Sequence, residues 1–370
     1  MKRSSIRRAA VPAALTLGLL LTACGAANEQ GGGDSNAGEG QGGDELSGTL
    51  NGAGASSQAA AMEAWQVGFT DANPDVTVNY DPIGSGGGRE QFLAGGVTFA
   101  GSDAYLDDEE LTTAAERCGD GEVIELPNYI SPIAVAFNLE GVDNLNLDAA
   151  TIAGIFNQDI TEWDDPAIAD QNPDAELPAE PIVPVNRSDE SGTTENFVDY
   201  LSATAPDAWP HEVSGDWPVP GGEQAQGTSG VVDVLTGTPG AIGYIDASQI
   251  GDLSSVAVQV GDEYVPYSPE AAAGIVESSP TVEGRGQFDY AIELERDTTE
   301  SGTYPIVLIS YHLACTAYDD PNQAELVSDF LSYVVSEEGQ QAAADAAGAA
   351  PISDTLRENA QEAVDAIGAN

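Results

Sequence analysis

Four short segments of the sequence combine glycines, hydroxyl side chains and charged groups in patterns that suit the binding of an oxyanion. They are residues 52–57 (GAGASS), 83–89 (IGSGGGR), 99–104 (FAGSDA) and 187–194 (RSDESGTT). Backbone N–H groups and hydroxyls at a helix N-terminus donate hydrogen bonds, and the helix dipole is positive there. An anion is therefore the kind of ligand that such segments would hold, and Arg187 would add a full positive charge.

Each segment taken alone also has an ordinary structural explanation. Residues 52–57 could be a glycine turn with a serine cap, Asp103 could cap a helix or a turn, and Arg187 with Asp189 could be a surface ion pair. Residues 83–89 lack the Gly-Lys-Ser/Thr ending of a nucleotide-binding P-loop, and their spacing also differs from the dinucleotide-binding fingerprint. Nucleotide binding is therefore disfavoured.

The elements around these segments predict an α/β protein in which strands and helices alternate. We predict strands over 46–50, 76–80, 97–100, 182–185 and 304–313, an apolar run over 130–137, and helices over 58–70, 89–94 and 324–367. In open parallel sheets, ligands bind beyond the carboxyl ends of the strands, and each of the four segments follows or ends a predicted strand. We therefore expect them to meet at one cleft, in a chain of 370 residues that is long enough for two lobes.

The N-terminus has the features of an exported lipoprotein. Basic residues precede an apolar run over residues 9–21, and Leu-Thr-Ala-Cys then ends at Cys24. This run is shorter than the roughly 20 residues that span a bilayer. We expect residues 1–24 to be a signal peptide and Cys24 to carry a lipid anchor, which would hold the protein on the outer face of the cytoplasmic membrane. Residues 25–44 are Gly-rich and polar, and they predict a flexible linker.

The charge of the chain excludes several classes of partner. After removal of the signal, six arginines face 62 carboxylates, which leaves a formal charge of −56 and no lysine. Such a surface repels nucleic acids and anionic lipid headgroups. It suggests adaptation to high salt, where screening shortens the range of repulsion. An anionic ligand would have to be held by local hydrogen bonds and dipoles against this overall field.

Together and in this order, the four segments resemble the phosphate-binding proteins of ABC importers. Similar stretches at 163–168 (WDDPAI), 239–244 (PGAIGY) and 304–306 (YPI) extend the resemblance from residue 46 to residue 357. It implies a type II periplasmic-binding-protein fold, in which two α/β lobes are joined by two crossover strands that hinge shut on the anion. It also implies a protein that captures inorganic phosphate for membrane permease subunits and catalyses nothing.

The resemblance further implies how the chain divides. Lobe I would comprise residues 45–128 and 307–370, and lobe II would comprise residues 129–306. The two crossings would lie near Tyr129 and Ile306.

The resemblance assigns a role in phosphate binding to a specific set of residues. The hydroxyl or amide donors in this set are Ser56, Ser57, Ser85, Ser191, Gly192 and Thr193. Arg187 would supply the charged contact, and Asp189 would orient Arg187. Many relatives have Phe at the position of Ser57, so here an amide contact could remain while the packing of an aromatic ring beneath the turn is lost.

Asp103 is the residue expected to select phosphate. Phosphate near neutral pH still carries a proton, so an ionised carboxylate can accept that O–H in a short, charge-assisted hydrogen bond. Sulfate has no such hydrogen, and a buried carboxylate facing it would be left unpaired and repelled. A site built on this bond can reject the analogue by roughly 10⁴- to 10⁵-fold.

Two alternatives use the same residues differently. An exported phosphatase or serine hydrolase would need a base beside its nucleophile, but the sequence has only His211 and His312, no Gly-x-Ser-x-Gly elbow and no cluster of histidines for a metal. His312 lies in an apolar strand, where a buried core histidine is expected. A sulfate- or molybdate-binding protein is disfavoured by Asp103. We expect no cofactor and no metal, and a monomer.

Cys118 and Cys315 remain once Cys24 is set aside. An exported compartment permits a disulfide between them, and two separate buried thiols are the alternative, because sequence alone does not show how close they lie. Redox catalysis is disfavoured without a Cys-x-x-Cys pair.

Overall fold

The computed structural model of the protein describes residues 46–369, and most of its strands belong to one sheet. The strands are, in chain order, β1 (Gly48–Gly54), β2 (Val76–Asp81), β3 (Phe99–Ser102), β4 (Val123–Asn138), β5 (Asn144–Leu147), β6 (Val183–Arg187), β7 (Glu223–Ala225), β8 (Ala241–Asp246), β9 (Ser254–Val260), β10 (Glu263–Val265), β11 (Val307–Cys315), β12 (Ala317–Tyr318) and β13 (Gly368–Ala369). The sheet has the order β2-β1-β3-β11-β4-β8-β6-β7, β9 also pairs with β4, and β5 and β10 pair with β9. β12 and β13 pair separately.

Helices follow most of these strands. They are α1 (Ala59–Ala72), α2 (Ser85–Leu93), α3 (Asp108–Cys118), α4 (Ala149–Phe156), α5 (Pro166–Ala169), α6 (Gly192–Thr204), α7 (Gly227–Gly237), α8 (Pro269–Ser278), α9 (Pro321–Val335), α10 (Glu337–Ala347) and α11 (Asp354–Asp365). None of the helices within residues 46–369 has the length and apolar character needed to cross a bilayer.

β4 connects two groups of parallel strands. Nine of its first ten residues pair antiparallel with β11, with Asn128 left out at a register shift, and its last six pair antiparallel with β8. On one side, β1 pairs in parallel with β2 and β3; on the other, β6 pairs in parallel with β7 and β8. We call β1–β3 with α1–α3 the first flank, and β6–β8 with α6 and α7 the second flank.

Burial explains the different sequence patterns of the strands. β2 alternates, with Val76 and Val78 buried and Thr77 and Asn79 exposed, because only one of its faces meets the core. All nine residues of β11 are buried, as are fourteen of the sixteen residues of β4. Strands covered on both faces favour the long apolar runs seen here.

His312 in β11 is a core residue, as its apolar surroundings predict. Its ring lies among Trp65, Phe99 and Phe330, and it is fully buried. The side-chain amide of Gln58 is its hydrogen-bond partner, with Nε2 3.2 Å from Oε1. Burial lowers the pKa of His312 to about 3, so the ring is neutral.

All three predicted helical segments have different bounds in the structure. The helix predicted over 58–70 is α1, Ala59–Ala72. The helix predicted over 89–94 begins at Ser85, so the glycines of residues 86–88 lie in its first turn rather than in a loop. The predicted helical tail is divided into α9, α10 and α11. Ser336 lies between α9 and α10, caps the start of α10 and has extended backbone angles, and Gly348 ends α10 in a left-handed conformation.

Several strand bounds differ as well. β1 begins two residues later than predicted and extends to Gly54, β3 covers 99–102 rather than 97–100, and β11 begins at Val307 rather than at residue 304. Pairing with β1 sets the start of β3, because the parallel register between these two strands begins at Phe99.

Candidate functional site

Four helix N-termini meet between the two flanks, and each helix follows a strand of a parallel pair. α1 follows β1, α2 follows β2, α6 follows β6, and α7 follows β7. Ser56 links the first and last of these helices, since its Oγ is 3.2 Å from Thr228 Oγ1 and accepts a 3.1 Å hydrogen bond from Thr228 N. Positive ends of four helix dipoles therefore lie close to one another.

Asp103 lies directly after β3, in contact with both flanks. Its carboxylate accepts hydrogen bonds from Ser57 Oγ at 2.7 Å and from Thr193 Oγ1 at 3.1 Å, and its backbone N donates to Ser85 Oγ at 3.1 Å. Only 3% of the residue is exposed. Burial raises the pKa of Asp103, while hydrogen bonds from Ser57, Ser310 and Thr193 and the charge of Arg187 limit the rise.

Arg187 and Asp189 form a bidentate ion pair at the end of β6. Arg187 Nε donates to Asp189 Oδ1 at 2.8 Å, and Nη2 donates to the other carboxylate oxygen. Gly227 N, at the start of α7, donates to the same Oδ1 at 3.1 Å. Burial opposes ionisation of Asp189, but the hydrogen bond and charge of Arg187 together lower its pKa below the ordinary value. The guanidinium is thereby held in one orientation.

Two glycines allow the segments to approach one another. A Cβ at Gly192 would lie 2.6 Å from Asp103 Cβ and 2.8 Å from Ser85 Oγ. Gly84, with φ +100°, precedes α2, and a Cβ there would lie 2.7 Å from Asp189 Oδ2. Larger residues at these positions would push the two flanks apart.

Ser191 contributes to the site indirectly, as the N-terminal cap of α6. Its Oγ accepts a 3.3 Å hydrogen bond from Thr194 N and so caps α6, while residues 192 and 193 present the first turn of that helix to Asp103. The structure therefore places all the predicted residues of the site close together, linked by hydrogen bonds or by adjacency in the chain. They are Ser56, Ser57, Ser85, Asp103, Arg187, Asp189, Ser191, Gly192 and Thr193.

Comparison with known proteins identifies the relatives of the chain. Residues 39–338 match the model of the PBP superfamily domain. Phosphate-binding protein PstS 3 of Mycobacterium tuberculosis is 35% identical over 359 residues, which cover 94% of this chain and 95% of that protein. Phosphate-binding protein PstS of Xylella fastidiosa is 32% identical over 303 residues, which cover 80% and 79% of the two chains.

The chain belongs to this family of phosphate-binding proteins within the PBP superfamily.

Solved structures agree with the fold of a phosphate-binding protein. A high affinity periplasmic phosphate-binding protein (PfluDING) with bound phosphate superposes with a TM-score of 0.70 at 22% identity, covering 85% of this chain and 93% of that one. A phosphate ABC transporter substrate-binding protein of Clostridium perfringens, described as putative and containing phosphate, gives a TM-score of 0.59 at 21% identity, covering 83% and 100%. The predicted α/β periplasmic-binding-protein fold is confirmed.

Three residues of the site in this phosphate-binding protein were not foreseen from the sequence. Asn196 Nδ2 donates to the backbone carbonyls of Asp103, at 2.7 Å, and Gly192, at 2.8 Å. Its spacing of four from Gly192 would have indicated the same helix face. Thr228 lies in the first turn of a helix that follows a strand, which is the signal used for the other segments. Ser310 lies within β11 and has no such local signal, and its contact with Asp103 depends on how the strands pair.

The histidines do not supply a base for the serines of the site. His211 Nε2 lies 2.9 Å from Asn157 Oδ1 and packs edge-on against Trp209, and His312 is the neutral core residue described above. Within residues 46–369, no group of three or more His, Cys, Asp or Glu side chains is placed to hold a metal ion.

The structure describes two of the three cysteines, Cys118 and Cys315. Cys118 at the end of α3 and Cys315 at the end of β11 form a disulfide, with their Cα atoms 5.4 Å apart. Cys24, the predicted signal peptide over 1–24 and the predicted linker over 25–44 lie outside the described residues.

Proposed function

We propose that this protein captures inorganic phosphate outside the cytoplasm and passes it to the permease subunits of an ABC importer, without catalysing a reaction. The observation that carries the proposal is the buried carboxylate of Asp103 among hydroxyls, helix N-termini and Arg187, in a member of the phosphate-binding protein family. A phosphatase would need a metal or a base in this position, and the residues near Asp103 are hydrogen-bond donors instead.

The proposed ligand set surrounds a tetrahedral anion with directed donors. Hydroxyls or amides come from Ser56, Ser57, Ser85, Ser191, Gly192 and Thr193, and Arg187 contributes its charge while Asp189 orients it. Because Asp189 balances the charge of Arg187, affinity depends mainly on hydrogen-bond geometry and on the helix dipoles. These local terms have to exceed the repulsion from a chain whose formal charge is −56 once the signal is removed.

Asp103 would distinguish phosphate from sulfate through one proton. Each carboxylate oxygen has two lone pairs, so Asp103 can keep its bonds from Ser57 and Thr193 and still accept an O–H from the ligand. The raised pKa of Asp103 makes it a strong acceptor for this proton. Sulfate would place a proton-free oxygen against a buried carboxylate, which is repulsive.

Binding is proposed to close two lobes, formed by residues 45–128 with 307–370 and by residues 129–306. Hydrogen bonds from Thr193 and Asn196 to Asp103 support this closure, because they join residues of the two proposed lobes beside the proposed ligand site. β4 and β11 would act as the crossover strands. Export, lipid attachment at Cys24 and a monomeric state complete the proposal, with the anchor holding the protein on the outer face of the membrane.

Calorimetric titration of the purified protein tests the proposed function. Phosphate, sulfate and a phosphate monoester are compared at matched ionic strength, so that the screening length is the same in each titration. Tight binding of phosphate alone is the expected result. Equal affinity for sulfate, turnover of the monoester or no heat with phosphate would overturn the proposal. Loss of membrane attachment in the full-length Cys24→Ala variant tests the anchor.

A further inference from the structure

Arg89 and Glu190 form an ion pair between the two flanks, apart from the proposed ligand residues. Arg89 Nη2 lies 2.6 Å from Glu190 Oε1, and their side chains are 9% and 36% exposed. The rest of the guanidinium is held within the first flank, because Nε donates to Glu110 Oε1 at 2.8 Å and Nη1 donates to Ser102 Oγ at 3.1 Å. One edge of a fixed cation is thus presented to the second flank.

The carboxylate of Glu190 packs against two glycines, Gly86 and Gly215. A Cβ at Gly86, in the first turn of α2, would lie 1.1 Å from Glu190 Oε2, so only glycine leaves room for the carboxylate there. Gly215 packs on the other side, where a Cβ would lie 2.8 Å from Oε1. The carboxylate therefore rests on the bare N-terminal turn of a helix as well as on Arg89, and both positions favour a negative charge.

Glu190 lies in the middle of the segment that carries the second flank's part of the site. Asp189 precedes it and holds Arg187, while Ser191 follows it and caps α6, whose first turn carries Thr193. Attaching Glu190 to α2 therefore also holds residues 187–193 against Asp103 and Ser85. Neither Arg89 nor Glu190 belongs to the proposed ligand set.

We infer that Arg89 and Glu190 are positioning residues that form a closure latch, which stabilises the closed cleft and slows the release of the bound anion. This inference rests on the proposed function. A contact made only in the closed state raises the population of that state, and the apparent affinity rises in proportion. Because the latch does not touch the ligand, its loss should increase the dissociation rate and leave the preference for phosphate over sulfate unchanged.

A double-mutant cycle on the full chain measures the latch. Glu190→Gln and Arg89→Gln are each expected to weaken phosphate binding about fivefold, as for a partly exposed ion pair, and the double variant should be no weaker than either single variant. Stopped-flow measurement of phosphate release should show that the weaker binding of the variants comes from faster dissociation. Gly86→Ala, which displaces Glu190 without altering a charge, should have the same effect.

Glu110→Gln is the matched control. It removes the other negative charge beside Arg89, but the Gln side-chain oxygen can still accept the hydrogen bond from Arg89 Nε and keep the guanidinium in place. Glu110 lies on the same flank as Arg89, and Gln preserves the capping box at the start of α3. This variant should bind phosphate like the wild type, whatever its thermal stability. Additive losses in the cycle, or an equal loss in Glu110→Gln, would overturn the latch. Failure of the wild type to bind phosphate would instead overturn the proposed function, so the two failures are distinguishable.

Discussion

Asp103→Asn is expected to lower the preference for phosphate over sulfate by about 100-fold. The substitution removes the acceptor of the phosphate O–H, a charge-assisted hydrogen bond that contributes about 2 kcal/mol, or about 30-fold in Kd. Sulfate should bind several-fold more tightly, because the buried negative charge is gone and the Asn amide can donate. Asp103 is 3% exposed, so solvent would not screen either effect.

Asp246→Asn is the control for this substitution. Asp246 is fully buried, as Asp103 nearly is, but its carboxylate accepts hydrogen bonds from Tyr129 and Ser248 rather than from the residues of the site. Both variants are titrated with phosphate and with sulfate by calorimetry, at the same ionic strength and near neutral pH. A ratio of the two Kd values that stays at the wild-type level in Asp103→Asn would refute the reasoning, as would an equal change in Asp246→Asn.

Three further predictions follow from the packing and the charges. Gly192→Ala should weaken phosphate binding at least about tenfold, because its Cβ would lie 2.6 Å from Asp103 Cβ, whereas Gly237→Ala, with open space at its Cβ, should not; titration of both variants checks this. Burial raises the pKa of Asp246 to about 7, so the folded state keeps a proton that the unfolded state loses, and stability should fall as pH rises from about 4 to about 7. Asn does not titrate, so the free energy of unfolding of Asp246→Asn should fall less over this pH range than that of the wild type, by up to about 4 kcal/mol. Chemical unfolding at several pH values measures both, and parallel plots of unfolding free energy against pH would contradict the prediction. Reduction of the disulfide between Cys118 and Cys315, which closes a loop of sequence separation 197, should lower the free energy of unfolding by about 5 kcal/mol; an unchanged unfolding midpoint in the double Ser variant would show otherwise.

The order of local motifs made much of the site predictable. Hydroxyls and glycines that end strands and begin helices are a local signal, and parallel strands bring such ends to one edge of a sheet. Ser57, Asp103 and Thr193 were therefore expected near one another, and the structure joins them by hydrogen bonds. The alternation of elements predicted an α/β protein, and the family resemblance implied the periplasmic-binding-protein fold, which is confirmed.

What the sequence did not reveal depends on contacts between distant segments. Ser310 acts on Asp103 only because β11 pairs beside β3, and Glu190 meets Arg89 only because the flanks lie together. Residues 86–88 were expected in a loop, since glycine weakens helices, but their missing side chains make room for Glu190 and for the backbone of Gly54. Packing across the site outweighed local helix propensity at this position.

A crystal structure of the phosphate complex tests the central claim most directly. We predict that the phosphate lies among the N-termini of α1, α2, α6 and α7, with one oxygen within hydrogen-bond distance of an Asp103 carboxylate oxygen and another in contact with the Arg187 guanidinium. Phosphate bound elsewhere, or bound here with Asp103 turned away from it, would contradict the account.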